Sequence, residues 1–475
     1  MRTHINFLHP FQAACPLGGI GYTEPGLTTA VVIPIFGIRE GTMQESLKQK
    51  VRAKIRQVVR KLAIKYRWLY TVYAWLQLPG EWVLTRKTQQ NYKKIIKELS
   101  VREDKINVVF LVSQSTKWNG DSLYQKLDAD CRFVPIILYA PFLQEHANLD
   151  SNHSAECRFF IEQGYNFSAV SSVAEFWTHK PDIVFYQQPW DALGGGFAPV
   201  KVSQRALCLY FPYSVATSIE NPTTWYYCST FFKTLYRHFV FNTAVVEQFQ
   251  TKGIYNTIAT GYPKMDVYLT PIKTEPWKDT KKFKIVYAPH HSFEATRGLW
   301  ATFDWNGREL LEWAKAHADT EWTFKPHPTF RHMIFETGRM TEAEIGEYYD
   351  EWNKLGSVYT LGNYFDIFRT ADLLITDCGS FLTEWLPTEK PCIHLLSDKE
   401  VPNCRSFVHE ASSRHYYKVK CLEELNAILE MLVVRREDPL AEVRIQDARN
   451  IPLDSAKNIY HWLVETLWGE KEKIL

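Results

Sequence analysis

Apolar runs separated by polar, helix-compatible segments recur through the first half of the chain. Runs that are continuous and bounded by polar residues are typical of strands buried in a parallel sheet. The runs lie at residues 105–113, 133–139, 183–186, 206–210 and 238–241. The pattern predicts a domain of repeated βα units over residues 103–265.

The same alternation begins again after a proline-punctuated stretch near residues 255–282. Its apolar runs lie at 284–288, 320–325, 358–360, 373–376 and 392–395. This second block predicts another domain over residues 266–450, which agrees with a length of 475 residues, more than one core usually organises. The expected fold class is α/β, with two doubly wound Rossmann-like domains facing a cleft, and ligands at the strand ends that line it.

The segments that flank the two domains have different patterns. Residues 1–42 are rich in Gly, Pro and Thr and predict an irregular segment, and residues 43–102 predict a basic amphipathic helical region. Within it, residues 45–78 carry lysines and arginines around an apolar stripe and end in aromatic residues, as helices at an anionic membrane surface do. The alternative is a helix that packs its stripe on the protein and leaves its charges solvated. Residues 451–475 predict a C-terminal amphipathic helix.

Composition narrows the class of protein. The 45% hydrophobic and 23% charged residues are ordinary for a globular protein, and a net charge of +2 gives no reason to expect nucleic acid binding. The nine cysteines are scattered without a CxxC pair, which favours reduced thiols over disulfides or structural zinc. With no signal-like N-terminus and no run of about 18 apolar residues, we expect a cytoplasmic protein, peripheral on the inner face of the cell membrane.

Histidines follow two of the predicted strands in the second domain. His290 and His291 come directly after the run 284–288, and His327 lies between two prolines in Lys325–Pro328. Imidazoles can transfer protons or bind phosphate oxygens, and Lys325 adds a cation in a loop that the prolines make rigid. The alternative is that these are exposed loop histidines and a turn residue.

The segment 371–384 predicts a buried strand, a tight turn and a helix start. Thr376 and Asp377 end the strand, and the amides and hydroxyl of Gly379 and Ser380 can donate to phosphate. Thr383 and Glu384 lie in the first turns of the helix, where a carboxylate can bind ribose hydroxyls. The alternative is an ordinary helix N-cap.

Nothing in the sequence calls for a metal or a cofactor. The Asp-x-Asp motif at 128–130 precedes a strand of the first domain and is interpreted as a surface turn. A Walker loop and a GxGxxG motif are missing from the sequence. No metal ligand and no cofactor are therefore predicted.

Several ordered blocks resemble the CDP-glycerol glycerophosphotransferases of teichoic-acid and capsule synthesis, which have the GT-B architecture. The blocks are residues 182–191, 207–213, 260–266, 287–289, 325–328 and 376–380. The resemblance implies that His327 and the turn Asp377–Ser380 bind the donor pyrophosphate, and that Gly261–Asp266 lies beside the cleft. It also implies that the C-terminal helix, residues 451–475, crosses back onto the first domain. Two features depart from the family: the His-Gly-Thr-Pro-type motif is missing, and the donor loop reads Asp-Cys-Gly-Ser instead of Asp-Tyr-Ser-Ser.

The resemblance implies a reaction in which an acceptor hydroxyl attacks the β-phosphorus of a CDP-polyol and CMP leaves. The acceptor would be a membrane-associated lipid-linked molecule or a polysaccharide. His290 or His291 is the favoured base, and Asp191 of the first domain is a rival. Two alternatives stay open: a GT-B glycosyltransferase that uses a nucleotide sugar in capsule or lipopolysaccharide synthesis, and a membrane-bound scaffold without activity.

Overall fold

A computed structural model of the chain describes most of the two predicted domains. The described residues are 67–140, 149–186, 188, 196–213, 230–251, 253–293, 300–360, 364–398 and 413–469. Residues 1–66, which contain most of the predicted membrane-contact segment, and Asp191 lie outside the described residues.

The first domain is built on a sheet of seven parallel strands in the order β3-β2-β1-β4-β5-β6-β7. The strands are β1 Ile106–Val112, β2 Phe133–Tyr139, β3 Phe167–Ala169, β4 Ile183–Tyr186, β5 Leu207–Tyr210, β6 Arg237–Val240 and β7 Thr257–Ala259. The described helices of this part are α1 Arg67–Leu99, α2 Asp121–Asp128, α3 Leu149–Glu162, α4 Val173–Thr178, α5 Pro199–Val202, α6 Thr230–Thr234 and α7 Thr243–Thr251.

The second domain is built on a sheet of six parallel strands in the order β10-β9-β8-β11-β12-β13. The strands are β8 Phe283–Ala288, β9 Thr320–Phe324, β10 Gly356–Val358, β11 Leu373–Thr376, β12 Cys392–Leu395 and β13 Tyr417–Val419. The described helices are α8 Phe303–Ala316, α9 Phe330–Glu336, α10 Glu342–Leu355, α11 Phe365–Thr370, α12 Gly379–Trp385, α13 Leu422–Leu429, α14 Ala441–Ala448 and α15 Ser455–Trp468.

The strand order confirms the predicted fold class. Both sheets run 3-2-1-4-5-6 in local numbering, the doubly wound order, and the first carries one further strand at its edge. Because the order reverses between β1 and β4 and between β8 and β11, the loops after these strands diverge and leave a crevice. Ala288 pairs with Thr376, and Tyr287 pairs with Phe324, so the loops after β8, β9 and β11 begin side by side.

Each sheet has its own apolar core. In the first, Phe110 and Phe185 stack with ring centroids 5.2 Å apart, and in the second Phe324 stacks on Trp352 at 5.5 Å. Fully burying a side chain of this size stabilises a protein by about 1.5–3 kcal/mol. The apolar strand runs that predict the two domains therefore also supply the main stabilisation of each.

Helices from both ends of the described chain pack on the first domain. The hydroxyl of Tyr92 in α1 donates to the carbonyl oxygen of Thr234 at 2.6 Å. The side chains of Ile459 and Leu463 in α15 are buried in the core of the first sheet. None of the described helices is long and apolar enough to cross a membrane.

The connection between the domains runs through a 3₁₀ helix, Pro263–Leu269. Gly261, just before it, has a φ of +94°, and a Cβ there would lie 2.8 Å from the carbonyl oxygen of Pro452. Asp266 accepts the backbone N–H groups of Ser455 and Ala456, both at 2.8 Å. The outgoing connection is thus bound directly to the start of α15.

Candidate functional site

Asp377 joins two loops at the point where the second sheet reverses its order. Its Oδ1 accepts the backbone N–H of His290 at 2.6 Å, and its Oδ2 accepts the backbone N–H and hydroxyl of Thr302 at 2.7 and 2.9 Å. Burial raises the pKa of Asp377 to about 6, although these hydrogen bonds favour the charged form. The carboxylate holds the loop after β8 and the start of α8 beside the loop after β11.

Three histidines meet above these strands, and we call His290, His291 and His327 the imidazole cluster. The ring centroid of His327 lies 3.8 Å from that of His291 and 5.3 Å from that of His290. Burial, followed by the neighbouring imidazoles, lowers the pKa of His327 well below its usual range, so the ring is neutral. Its Nδ1 accepts the backbone N–H of Thr329 at 3.2 Å.

Lys325 is 6% exposed, and aromatic rings surround its ammonium group. The Nζ atom lies 4.2 Å from the ring centroid of Tyr364 and 4.7 Å from that of Phe381. Burial, together with the charge of Lys264, lowers the pKa of Lys325 to about 8. Cation–π contacts stabilise such a desolvated ammonium group beside the cleft.

Lys264, Tyr364 and Glu384 form a second group, which we call the linker cluster. Lys264 Nζ donates to the Tyr364 hydroxyl at 2.7 Å and lies 3.8 Å from Glu384 Oε1. The Tyr364 hydroxyl donates to the Glu384 carboxylate, which belongs to a residue only 1% exposed. The carboxylate predicted to bind ribose is therefore in contact with a lysine of the interdomain connection.

The turn after β11 is fixed by its own side chains. The Thr376 hydroxyl donates to the carbonyl oxygen of Ala288 at 2.7 Å and accepts the N–H of Cys378 at 3.0 Å. Ser380 is half-buried at the start of α12, with its Oγ 3.3 Å from Cys378 Sγ, whereas Thr383 is buried. Gly379 is the first residue of α12. These contacts give the turn one shape at the floor of the crevice.

The first domain presents a cation from the opposite side. Lys117, in the loop after β1, donates to Gln188 Oε1 at 3.3 Å, and its Nζ lies 5.0 Å from the ring centroid of Tyr213. The charge of Lys117 is the smallest of the causes that lower the pKa of His327, after burial and the charges of His291, His290 and Lys325. Gln188 follows β4, so this side also lies at a point of strand reversal.

Comparison with known families addresses the domain that carries most of these groups. Residues 241–417 match the family model of CDP-Glycerol:Poly(glycerophosphate) glycerophosphotransferase. These residues are a glycerophosphotransferase-family domain. The suspected family is thus confirmed for residues 241–417, and the match supports an enzyme of this type. No curated protein sequence matches the chain significantly.

Solved structures show where the fold recurs. A candidate UDP-N-acetylglucosamine 2-epimerase from Listeria monocytogenes is 14% identical with a TM-score of 0.52, covering 77% of this chain and 98% of its own. Staphylococcus aureus MnaA, solved with UDP, is 11% identical with a TM-score of 0.52. The match covers 78% of this chain and 100% of the MnaA chain. At this identity the likeness shows the two-domain fold alone.

The glycerophosphotransferase-family domain brings together most of the residues singled out by the sequence. His290, His291, His327 and Lys325 lie on adjacent loops, next to the turn 376–380. Asp191 lies outside the described residues.

Sequence reasoning missed three groups. Lys264 belongs to a block recognised by resemblance, but its contact with Glu384 links residues 120 positions apart. Tyr364 lies in no quoted block. Lys117 follows the first strand of the other domain. Its position after that strand is the signal that could have placed it at the cleft.

Proposed function

We propose that the protein transfers a polyol phosphate, such as glycerol phosphate, from a CDP-activated donor to an acceptor hydroxyl. The acceptor oxygen forms a bond to the β-phosphorus, and the bond from that phosphorus to the bridging oxygen breaks. CMP leaves with the bridging oxygen, and the acceptor proton passes to a base. The observation that carries the proposal is the cluster of donors and cations on adjacent loops of a glycerophosphotransferase-family domain.

Charge neutralisation is the main requirement of such a reaction, because negative charge spreads over the transferred phosphoryl group and the leaving phosphate. Lys325 and Lys117 bring ammonium groups from the two domains. His327 is neutral and its Nδ1 accepts the Thr329 N–H, so its proton is on Nε2 and can be donated to a phosphate oxygen. These groups are fixed before the substrate arrives, which lowers the cost of reorganisation.

For the base we favour His290 or His291. His290 Nδ1 lies 2.8 Å from Ser292 Oγ, and Ser292 Oγ also accepts the backbone N–H of Trp300 at 3.1 Å. In the tautomer that donates from Nδ1 to Ser292, Nε2 has the lone pair that accepts the proton. Asp191 stays the rival base from the first domain.

Donor turnover tests the proposal. Purified protein is given CDP-glycerol, CDP-ribitol, UDP-sugars or GDP-sugars, each with and without membrane extract as the source of acceptor, and nucleotide release is measured. We expect CMP from a CDP-polyol, and a loss of about 100-fold or more in His327→Ala, the size seen when one fixed donor is removed from a reacting oxyanion.

The matched control is His332→Ala, which removes an exposed imidazole from α9. It should retain the wild-type rate. Release of UDP or GDP instead of CMP would contradict the phosphotransferase and support the nucleotide-sugar glycosyltransferase. Unchanged CMP release in His327→Ala would contradict the role given to that imidazole.

We further propose that residues 45–78 bring the protein to an anionic membrane surface, where a lipid-linked or polysaccharide acceptor of a cell-surface or teichoic-acid-like polymer would be found. Helix α1 begins within this segment, and farther along it Trp82 is 62% exposed, with the guanidinium of Arg86 5.3 Å from its ring centroid. An exposed indole beside cations is typical of a helix at a headgroup interface.

Vesicle sedimentation tests this association. We expect binding to vesicles that contain phosphatidylglycerol, weak binding to pure phosphatidylcholine, and weakening with salt. The double variant Lys61→Glu and Lys65→Glu should lose most of the binding. Its control, Lys93→Glu with Lys94→Glu, changes the same charge outside the segment, and an equal loss in both would contradict the assignment to residues 45–78.

A further inference from the structure

The imidazole cluster has a composition that phosphate binding alone does not require. Its three side chains come from two loops, and one ring nitrogen of each lies within 4.8 Å of one ring nitrogen of each of the others. Three imidazoles around one point are a ligand set that zinc enzymes use, with a further position left for water or substrate. The cluster therefore suits a metal ion as well as an anion.

The hydrogen bonds of the rings fit this interpretation. His290 Nδ1 pairs with Ser292 Oγ at 2.8 Å, and His327 Nδ1 pairs with Thr329 Oγ1 at 2.9 Å. Metal-binding histidines usually have their second nitrogen held in this way, which fixes the ring and its tautomer. In both residues the nitrogen assigned to an ion is Nε2. For His327 this requires the proton to move from Nε2 to Nδ1, where Thr329 Oγ1 accepts it and the Thr329 N–H gives up Nδ1 as its acceptor.

The spacing defines what must move when an ion binds. Zn–N bonds of about 2.0–2.1 Å in tetrahedral geometry place ligand nitrogens about 3.3 Å apart, so nitrogens that lie up to 4.8 Å apart must approach each other by up to about 1.5 Å. The rings of His291 and His327 stack at 28°. One of them must rotate before the lone pairs of both point at a single ion.

We propose that His290, His291 and His327 bind one divalent transition-metal ion of the zinc class. Imidazole ligands select zinc, copper or nickel over magnesium and calcium, which prefer oxygen. A nitrogen bound to the ion has no lone pair for a proton, so the ion and the base in the proposed transfer reaction exclude each other. This second part rests on the proposed function, whereas the binding of the ion does not.

Titration with Co²⁺ and Zn²⁺ tests the site. Chelator-treated, dialysed full-length protein is titrated with Co²⁺ while visible absorption is recorded, and with Zn²⁺ in a calorimeter. We expect one ion per chain and an absorption of tetrahedral or five-coordinate cobalt. His291→Ala should weaken binding by at least about 100-fold, because loss of a mere outer-shell partner already costs about 10- to 100-fold.

His332→Ala is the control and should bind as wild type does, and circular dichroism with urea unfolding shows whether His291→Ala is folded. A second variant, His327→Gln, keeps a polar side chain and should weaken binding similarly. Absence of one-to-one binding, or equal affinity in wild type and both cluster variants, would overturn the metal site.

The exclusion is tested by CMP release at increasing Zn²⁺. Turnover should fall with the midpoint of the binding titration and return with chelator. Full turnover at saturating Zn²⁺ would overturn the exclusion. If no CDP-polyol is turned over by any preparation, the proposed function fails, and the cobalt and zinc titrations still decide the metal site.

Discussion

Replacing Asp266 with alanine tests whether the interdomain connection is held by one carboxylate. Asp266 accepts the N–H groups of Ser455 and Ala456 at the start of α15, and Ser122 donates to its Oδ2 at 3.0 Å. Asp454, the N-cap residue of α15, has a φ of +68° and makes no side-chain cap. Asp266, which is distant in the sequence, therefore accepts the N–H groups that an N-cap side chain usually accepts.

The expected loss of stability in Asp266→Ala follows from the backbone N–H groups that the variant leaves without an acceptor. Burial raises the pKa of Asp266, so desolvation already offsets part of what its hydrogen bonds contribute. In the alanine variant two backbone N–H groups stay buried without an acceptor, and each costs about 1–3 kcal/mol. We expect the free energy of unfolding to fall by about 2–6 kcal/mol.

Urea unfolding followed by tryptophan fluorescence and circular dichroism measures the effect. With an m-value of about 3 kcal/mol per M, the midpoint should fall by about 0.7–2 M. The control Asp454→Asn removes a half-exposed carboxylate at the same helix start and should change stability by less than about 0.5 kcal/mol. Equal midpoints for the two variants would refute the reasoning, because the cap would then have no measurable value.

Two further substitutions test backbone and side-chain packing near the cleft. Gly261→Ala should lower the free energy of unfolding by about 3 kcal/mol, since it adds both positive-φ strain and a clash with a backbone carbonyl. The control Gly338→Ala, at φ +67° in open space, should lower it by only about 1 kcal/mol. Similar urea midpoints for the two variants would contradict the clash. Tyr364→Phe leaves the Glu384 carboxylate without its hydroxyl donor and should cost about 1–3 kcal/mol. Its control is Tyr255→Phe at an exposed ring, and an equal midpoint shift in both would contradict the value of that contact.

The fold could be predicted because each buried strand is a continuous apolar run. Val108, Val109 and Phe110 are fully buried, and a parallel strand covered on both faces needs such a run. The position of α15 against the first sheet is different: Ile459 and Leu463 define an apolar stripe, but a stripe does not say which surface covers it. From the sequence, the packing of α15 on the first domain is expected only because of the resemblance to the family.

The placement of the candidate site residues could be predicted where these residues follow a strand end. His327 and Lys325 lie beside His290 because β8 and β9 are neighbours, and parallel strands bring their ends to one edge. The linker cluster was not predictable, since the contact of Lys264 with Glu384 depends on how the connection crosses the second domain. Neither was the metal-like spacing of the imidazoles, because the sequence gives the order of loops and not their separation.

The adjacency of Gly261 and Pro452 has a mechanical consequence. The chain leaves the first domain after β7 and returns between Ala448 in α14 and Ser455 in α15, so two covalent crossings join the domains. Because the crossings touch each other, they act as one pivot instead of two separated straps. Displacement in a rotation grows with distance from the pivot. Rotation of one domain against the other would therefore change the distance between Lys117 and His327 more than any distance at the crossings themselves.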